Sequence, residues 1–496
     1  MRVRPNLTLS LGFRDEFSAG WNEAHGRAAN YTFSNGVIST DGHIGNSLFT
    51  VNRAKFLPQP RVAVAWSPMG PKTAIRAGFG IYNDLQDALG YRADQNAPFN
   101  PVYTIAAGNI ANLDLPLRPN IPPPSNALLV PGGVQPDMYT PAVESWSLRI
   151  NRELTANTYL SIGYVGSHGY HQLVGVDANA PMPVICPASP CPATFPNTAV
   201  WGALAGQPVP AGTFYTPVST KPNPAIANTW TWMSEGSSSH NALQLDVNHR
   251  FSRGLALRGV YTWSKTLDDG DSLNATAAAN APGLVSNPYH IRADWGLATY
   301  DVRNIGVVTA TYELPFGQGR RFLSGRSGMV GGVVDGWTVN SIVTAQSGFP
   351  FTPQLGYNPS NNGDTRNPVR AFRNPSFTGP ILLGNPNQWF DPNAFIAPPN
   401  NSGFYGNLGR NTLIGPALAT WDLSILKNTR LHESQHLQFR LEIFNLLNRA
   451  NFNTPNLITH VLAPGSTTPV QSPAAGLITS TSTTSRQVQL GLKLLW

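Results

Sequence analysis

Apolar and polar residues alternate with period two along much of this chain. Leu7, Leu9, Leu11 and Phe13 are separated by Thr8, Ser10 and Gly12. Successive side chains of a strand point to opposite faces, so such a run predicts a strand with one apolar and one polar side. The pattern recurs at Val62–Trp66 and, after a turn at 68–71, at Thr73–Ile81. Trp146, Leu148 and Ile150 are followed by a turn at 155–157 and then by Leu160, Ile162 and Tyr164. Leu243, Leu245, Val247 and Phe251 precede the turn 252–254, which leads to Leu255, Leu257, Tyr261 and Trp263. Further runs cover 302–314, 336–347, 420–428, 435–446 and 486–496. The total is about twelve strands.

The last run is the clearest. Val488, Leu490, Leu492, Leu494 and Trp496 fall on one face, and Gln487, Gln489, Gly491 and Lys493 on the other. A strand that is apolar outside and polar inside suits the wall of a membrane β-barrel. Gln438, Arg440 and Glu442 oppose Leu437, Phe439, Leu441 and Ile443 in the same way. An Arg facing lipid at mid-bilayer costs about 2–4 kcal/mol, so these polar residues are expected to face a lumen. Arg440 and Glu442 are expected to pair along it.

The connections alternate in length. Tight links near 68–71, 155–157, 252–254 and 429–434, and a medium one at 315–335, join strands in pairs. Between the pairs lie 15–59, 83–143, 167–240, 266–300, 348–419 and 447–484, rich in Pro, Asn, Gly and Ser. A soluble domain rarely carries so many long structureless loops. Short turns on one side and long loops on the other are the build of an outer-membrane barrel, and with the turns in the periplasm both chain ends lie there too. Trp66, Trp146, Trp263, Trp337, Trp421 and Trp496 sit near strand ends, as interfacial girdles require.

Composition agrees. Charged residues are 12% of the 496, while Gly (46), Pro (44) and aromatics (10%) are abundant, which favours strands and loops over helical bundles. No run of about 18 apolar residues offers a transmembrane helix. Met1–Asn6 carries two arginines without the apolar core of a signal peptide, so either the chain stays inside the cell or its true N-terminus lies upstream. The net charge of +7 is scattered, and no basic stretch interleaved with aromatics points to nucleic acid. The two cysteines, Cys186 and Cys191, have His168 and His171 as their closest histidines. A small loop disulfide in an oxidising compartment is favoured over a zinc site.

Two motifs bear on catalysis. His432-Glu433-Ser434-Gln435-His436 fits the zinc-protease pattern, which works only on a helix that stacks both histidines on one face. Here it falls where the alternation predicts a tight turn, and a third ligand is not evident. Asp268-Asp269-Gly270-Asp271 is acidic but lacks the ligand spacing of a calcium loop, so a solvated loop is the simpler reading. No phosphate-cradling loop or nucleophile elbow is present. No catalytic residue, cofactor or metal is assigned, and an enzyme ranks last.

Several segments together carry a family resemblance. They are Pro5–Arg14, Tyr261–Asp268, Tyr300-Asp301-Val302-Arg303-Asn304, Tyr312–Gly317, Gln346-Ser347-Gly348-Phe349-Pro350-Phe351, Leu408-Gly409-Arg410-Asn411-Thr412 and Phe439–Asn448. This set, spanning most of the chain, resembles the β-barrel of Oar-like TonB-dependent receptors of Gram-negative bacteria. The resemblance implies a signal peptide, a regulatory-like domain and a plug ahead of a barrel of about 22 strands. Against that pattern, the expectation is that this sequence lacks the preceding parts and starts partway through the barrel. The expectation is an all-β, antiparallel transmembrane β-barrel domain over 1–496, the C-terminal part of such a receptor, in the outer membrane. Its partners would be outer-membrane lipid, a barrel assembly machinery reading Val488–Trp496, and the TonB complex only if a plug is supplied. The ligand is open; the family's are siderophores, oligosaccharides or peptides, with export also conceivable. The alternative is a structural or adhesive surface protein. Gly348 and Pro350 are expected to end a strand at the outer rim.

Overall fold

The computed structural model describes every residue except 19–21, 85–131, 187–193, 196–204, 218, 252–253, 271–283, 326–327, 365–368 and 432–434. Twelve long strands form one antiparallel sheet in chain order: β1 (Leu7–Glu16), β2 (Leu57–Trp66), β3 (Thr73–Asn83), β4 (Ala142–Thr155), β5 (Thr158–Val176), β6 (Trp230–Arg250), β7 (Leu255–Asp268), β8 (Asn304–Glu313), β9 (Trp337–Gln346), β10 (Leu418–Arg430), β11 (His436–Phe444) and β12 (Gln487–Leu495). Each strand pairs with its sequence neighbours, so the wall is an up-and-down meander. The count and placement follow the period-two pattern directly.

Register shows why the alternation matters. Leu9 lies opposite Val64, Val64 opposite Ala77, Ala77 opposite Leu148, and Leu148 opposite Tyr164. Tyr164 continues to Leu243 and Leu243 to Trp263. At the other end Ile425 faces Leu441 and Leu441 faces Leu490. These apolar residues thus share one surface. That surface is bare: Leu11, Leu490 and Leu492 are about 70% exposed. In water this apolar band would be untenable, whereas in hydrocarbon it is the solvated side.

The opposite face is polar and cross-linked. Arg149 donates to Gln244 Oε1 at 2.8 Å, Arg258 pairs with Asp246 at 2.7 Å, and Gln438 donates to Asn428 Oδ1 at 2.9 Å. The expected Arg440–Glu442 pair does not form. The Arg440 guanidinium donates instead to Gln438, two residues back on the same face, and the cross-strand position opposite Arg440 on β12 is Gly491.

β2 contains Pro58 and Pro60, residues that cannot donate to a ladder. Both lie where β2 pairs only with β1, because pairing with β3 starts at Arg61. At the sheet's ends, the short strand Arg2–Arg4 folds back on β1, and no described strand pairs with the far edge of β12. Among the described residues the wall is an open sheet.

The long connections depart from the structureless loops expected. They carry the protein's hydrophobic core. Phe351, Leu355, Val369, Phe390, Phe395 and Leu413 bury one another, with Ala475 from the β11–β12 connection. Phe195, Phe372 and Phe404 form a second cluster, their rings 5.6–5.9 Å apart. Asparagines make the turns: Asn361, Asn401, Asn411, Asn445 and Asn448 all adopt positive φ, which Asn tolerates better than other side-chain-bearing residues. These loops form a cap at the end of the wall opposite the short turns. Gly348 belongs to it: a Cβ there would lie 1.9 Å from Gly415 O, so only glycine lets the backbones approach.

Candidate functional site

The cap is tied to the wall by buried ion pairs. Asp268 closes β7, and Arg410 comes from the β9–β10 connection; each side chain is 4% exposed, and they pair directly. Arg410 Nε also donates to Asp294 O at 2.6 Å. Asp294 pairs in turn with Arg370, whose Nη1 donates to Ala293 O at 3.0 Å and to Leu408 O at 3.2 Å. Burial, with the neighbouring Arg410 charge adding to it, brings Arg370 down to about 10. Two arginines on one loop thus grip two aspartates on the neighbouring strand and loop. Asp269, read as a solvated loop residue, is buried too. Its Oδ1 accepts from the Ser237 N–H at 2.7 Å, while burial raises its carboxyl above the usual range.

The motifs behind the family resemblance lie at these seams. Asp301 Oδ1 accepts from Thr266 N–H at 2.6 Å, and the Arg303 carbonyl accepts from Ser264 N–H at 3.0 Å, folding this segment back on β7. Asn411 donates to Leu297 O at 2.6 Å and its N–H to Thr352 Oγ1 at 2.7 Å. Asn445 N–H donates to Asp422 Oδ1 at 2.8 Å, while its amide reaches Arg449 O at 3.0 Å and Thr484 O at 3.1 Å. These residues build the cap.

Where three connections meet, a cavity of about 750 Å³ opens. Tyr300 comes from β7–β8, Phe349 and Gln354 from β9–β10, and Asn453, Asn456 and Ser480 from β11–β12. Gln354 N–H donates to Leu457 O at 2.9 Å, Asn453 N–H to Ser480 O at 3.0 Å and Asn456 N–H to Leu477 O at 2.9 Å, so the walls are stitched together. None of the lining residues carries a formal charge. The arrangement offers aromatic faces, amides and hydroxyls to a ligand. Nothing in the period-two pattern marks it, although Tyr300 and Phe349 stand in two of the quoted family-like segments.

The remaining sequence expectations are placed as follows. Val488, Leu490, Leu492 and Leu494 lie on the outward face of β12, and Trp496 follows it, 86% exposed. Cys186 is buried beside Phe195 and Val209 and takes part in a disulfide, while Cys191 lies outside the described residues. The zinc-protease motif does not sit on a helix at its described end. His436 opens β11 opposite Arg430, and Leu431 N–H donates to Gln435 O at 2.9 Å, closing a hairpin; His432, Glu433 and Ser434 lie outside the described residues. Asp271 is likewise outside them. Among the described residues no cluster of three or more His, Cys, Asp or Glu could hold a metal.

An open-ended apolar band outside, a polar lined face inside and long capping loops define an outer-membrane β-barrel wall. The model of the outer membrane beta barrel domain family matches residues 1–489, and the chain belongs to that family. It is a protein of the Gram-negative outer membrane. No curated protein sequence matches the chain. Among solved structures, it is similar to the outer membrane transporter YddB from Escherichia coli, at 9% identity and TM-score 0.45, over 89% of this chain and 41% of that one. It is also similar to the ferripyoverdine receptor of the Pseudomonas aeruginosa outer membrane, at 10% identity and TM-score 0.41, over 100% and 37%. BauA, the ferric preacinetobactin receptor from Acinetobacter baumannii, aligns at 12% identity and TM-score 0.38, over 98% and 40%. The chain therefore spans well under half the length of these three structures.

Proposed function

We propose that this chain is the C-terminal portion of a TonB-dependent, Oar-like outer-membrane receptor, and that its cap contributes to binding a ligand for energised transport. The observation that carries the reading is the uncharged cavity of about 750 Å³ held between three ordered loops at the long-loop end of the wall. A built cavity of this size fits a small ligand, and pockets of roughly 300–1,000 Å³ are the usual range. The open wall supports the larger-barrel part of the proposal. An unpaired strand edge in lipid leaves backbone groups unsatisfied, each at a cost of several kcal/mol, so β12 calls for further strands.

The test is uptake by cells carrying the intact receptor to which this chain belongs. Labelled siderophores, oligosaccharides and peptides are offered with and without TonB. The expected result is uptake of one class that disappears without TonB and weakens at least tenfold in affinity on Phe349→Asp or Tyr300→Ala, about 1.4 kcal/mol. Binding that is indifferent to both cavity substitutions and to TonB would favour the structural or adhesive alternative, in which the ordered cap is simply a surface module.

A further inference from the structure

The connection between β8 and β9 leaves the wall at the short-turn end and contains the helix α1 (Gly328–Val334). Its position relative to the wall can be read from two side chains. On β10, Trp421, Leu423, Ile425 and Lys427 share one face, and Lys427 stands opposite Phe439, which stands opposite Leu492. Lys427 is therefore on the outward, apolar surface, where a bare ammonium is costly. It is not bare. Its Nζ donates to Gly332 O at 2.6 Å and Asp335 O at 2.7 Å, carbonyls at the C-terminal end of α1, where a cation complements the helix dipole. Trp337, opposite Lys427 in register, donates Nε1–H to Val333 O at 2.8 Å, and its ring lies 5.5 Å from the Lys427 ammonium.

These contacts fix α1 on the outer side of the wall, at the edge of the apolar band. Val330 and Val333 nevertheless point away from protein, 57% and 64% exposed. The adjoining turn adds Phe316, Phe322 and Leu323, 39–46% exposed, with Arg321 beside them and Arg320, which also pairs with Glu313 at 2.7 Å on the partly exposed rim. Apolar side chains flanked by arginines, continuous with a lipid-facing surface, have the composition of a segment lying in the headgroup layer.

We propose that α1 and the 316–323 turn form an interfacial anchor, with Val330 and Val333 in the acyl boundary and the arginines among phosphate headgroups. The proposal rests on the outward face being the lipid face. The partner is the phospholipid surface itself. A phosphate-bearing interface fits both the adjacent apolar band and the arginines.

The test uses the intact receptor to which this chain is proposed to belong, in phosphatidylethanolamine/phosphatidylglycerol vesicles. Cys186 and Cys191 are replaced by Ala, and single nitroxide labels are placed at Val330→Cys, Val333→Cys, Leu490→Cys and Thr467→Cys. Collision with oxygen and with a water-soluble nickel complex is measured at each. The expected result is that Val330 and Val333 resemble Leu490, with high oxygen and several-fold lower nickel collision than Thr467. If Leu490 reports lipid while Val330 and Val333 report water, or if either valine is shielded from both reagents by protein, the anchor is overturned. If Leu490 itself reports water, the lipid-facing reading fails and the anchor with it. Lys427→Met should loosen the label at Val333 without moving the one at Leu490; unchanged mobility would overturn the capping role of Lys427.

Discussion

Replacing Arg410 by Met should open the cap. Arg410 and Asp268 are each 4% exposed at the side chain, so the substitution takes the arginine from a carboxylate that the fold has removed from water. Removing one partner of a buried pair costs about 3–5 kcal/mol, far more than the pair is worth as a unit, because the remaining charge is left uncompensated. The same substitution frees Arg370 from a neighbouring like charge, which returns part of that cost. A net change of about 3 kcal/mol multiplies the population of the opened cap roughly a hundredfold. Limited proteolysis of the lipid-embedded protein reads that population, with cleavage in the cap and the wall protected. The double replacement Asp268→Leu with Arg410→Met removes both charges and should restore most of the protection. If Arg410→Met alone changes the cleavage rate by less than about twofold, under ~0.5 kcal/mol, the pair does not hold the cap and the reasoning fails.

Other expectations concern pH, glycine and the wall. Burial holds His460 at about 4, below its ordinary 6.5, so the opened cap takes up a proton below pH 6.5 that the closed cap refuses. Cap stability is therefore full above about pH 6.5 and falls by roughly 3 kcal/mol in total as pH drops to about 4. His460→Gln should flatten the pH dependence of proteolysis between those limits, and an unchanged slope would exclude His460 as its source. Gly406→Ala puts a methyl 1.9 Å from Arg370 O at a φ of +78°, and should destabilise the cap by about 2–5 kcal/mol, visible as faster cleavage at the β9–β10 connection. Leu492→Arg should cost about 2–4 kcal/mol and impair membrane assembly, while Gln489→Arg, on the lumenal face of the same strand, should be tolerated. Equal yields of heat-modifiable folded protein from both would contradict the assignment of faces.

The wall was legible because a barrel strand needs little beyond alternation. Leu7–Phe13 and Val488–Leu494 announce the face, the alternating loop lengths give the direction, and all twelve strands follow. The cap was not legible for a physical reason. Phe351, Phe372, Phe390 and Phe404 are spread over the β9–β10 connection with no period, since an irregular chain buries a residue wherever it happens to turn inward. The same stretch is rich in Asn, Pro and Gly, and composition alone reads these as loop. Asp268 was seen, but its partner lies 142 residues away, and nothing local links the two. The cavity is a product of three connections meeting and has no local trace.

β5 and β6 run for 19 and 21 residues. At about 3.3 Å per residue and a tilt near 40°, β6 rises roughly 50 Å, about twice the height of the apolar band. Its upper half, carrying Trp230 and Trp232, is sheathed by cap residues such as Val134 and Met138. The β5–β6 strand pair therefore acts as a mast. It carries part of the cap clear of the lipid surface on a stiff, hydrogen-bonded support. Loops hung from it can vary in sequence while their height above the membrane is set by a strand length they do not control.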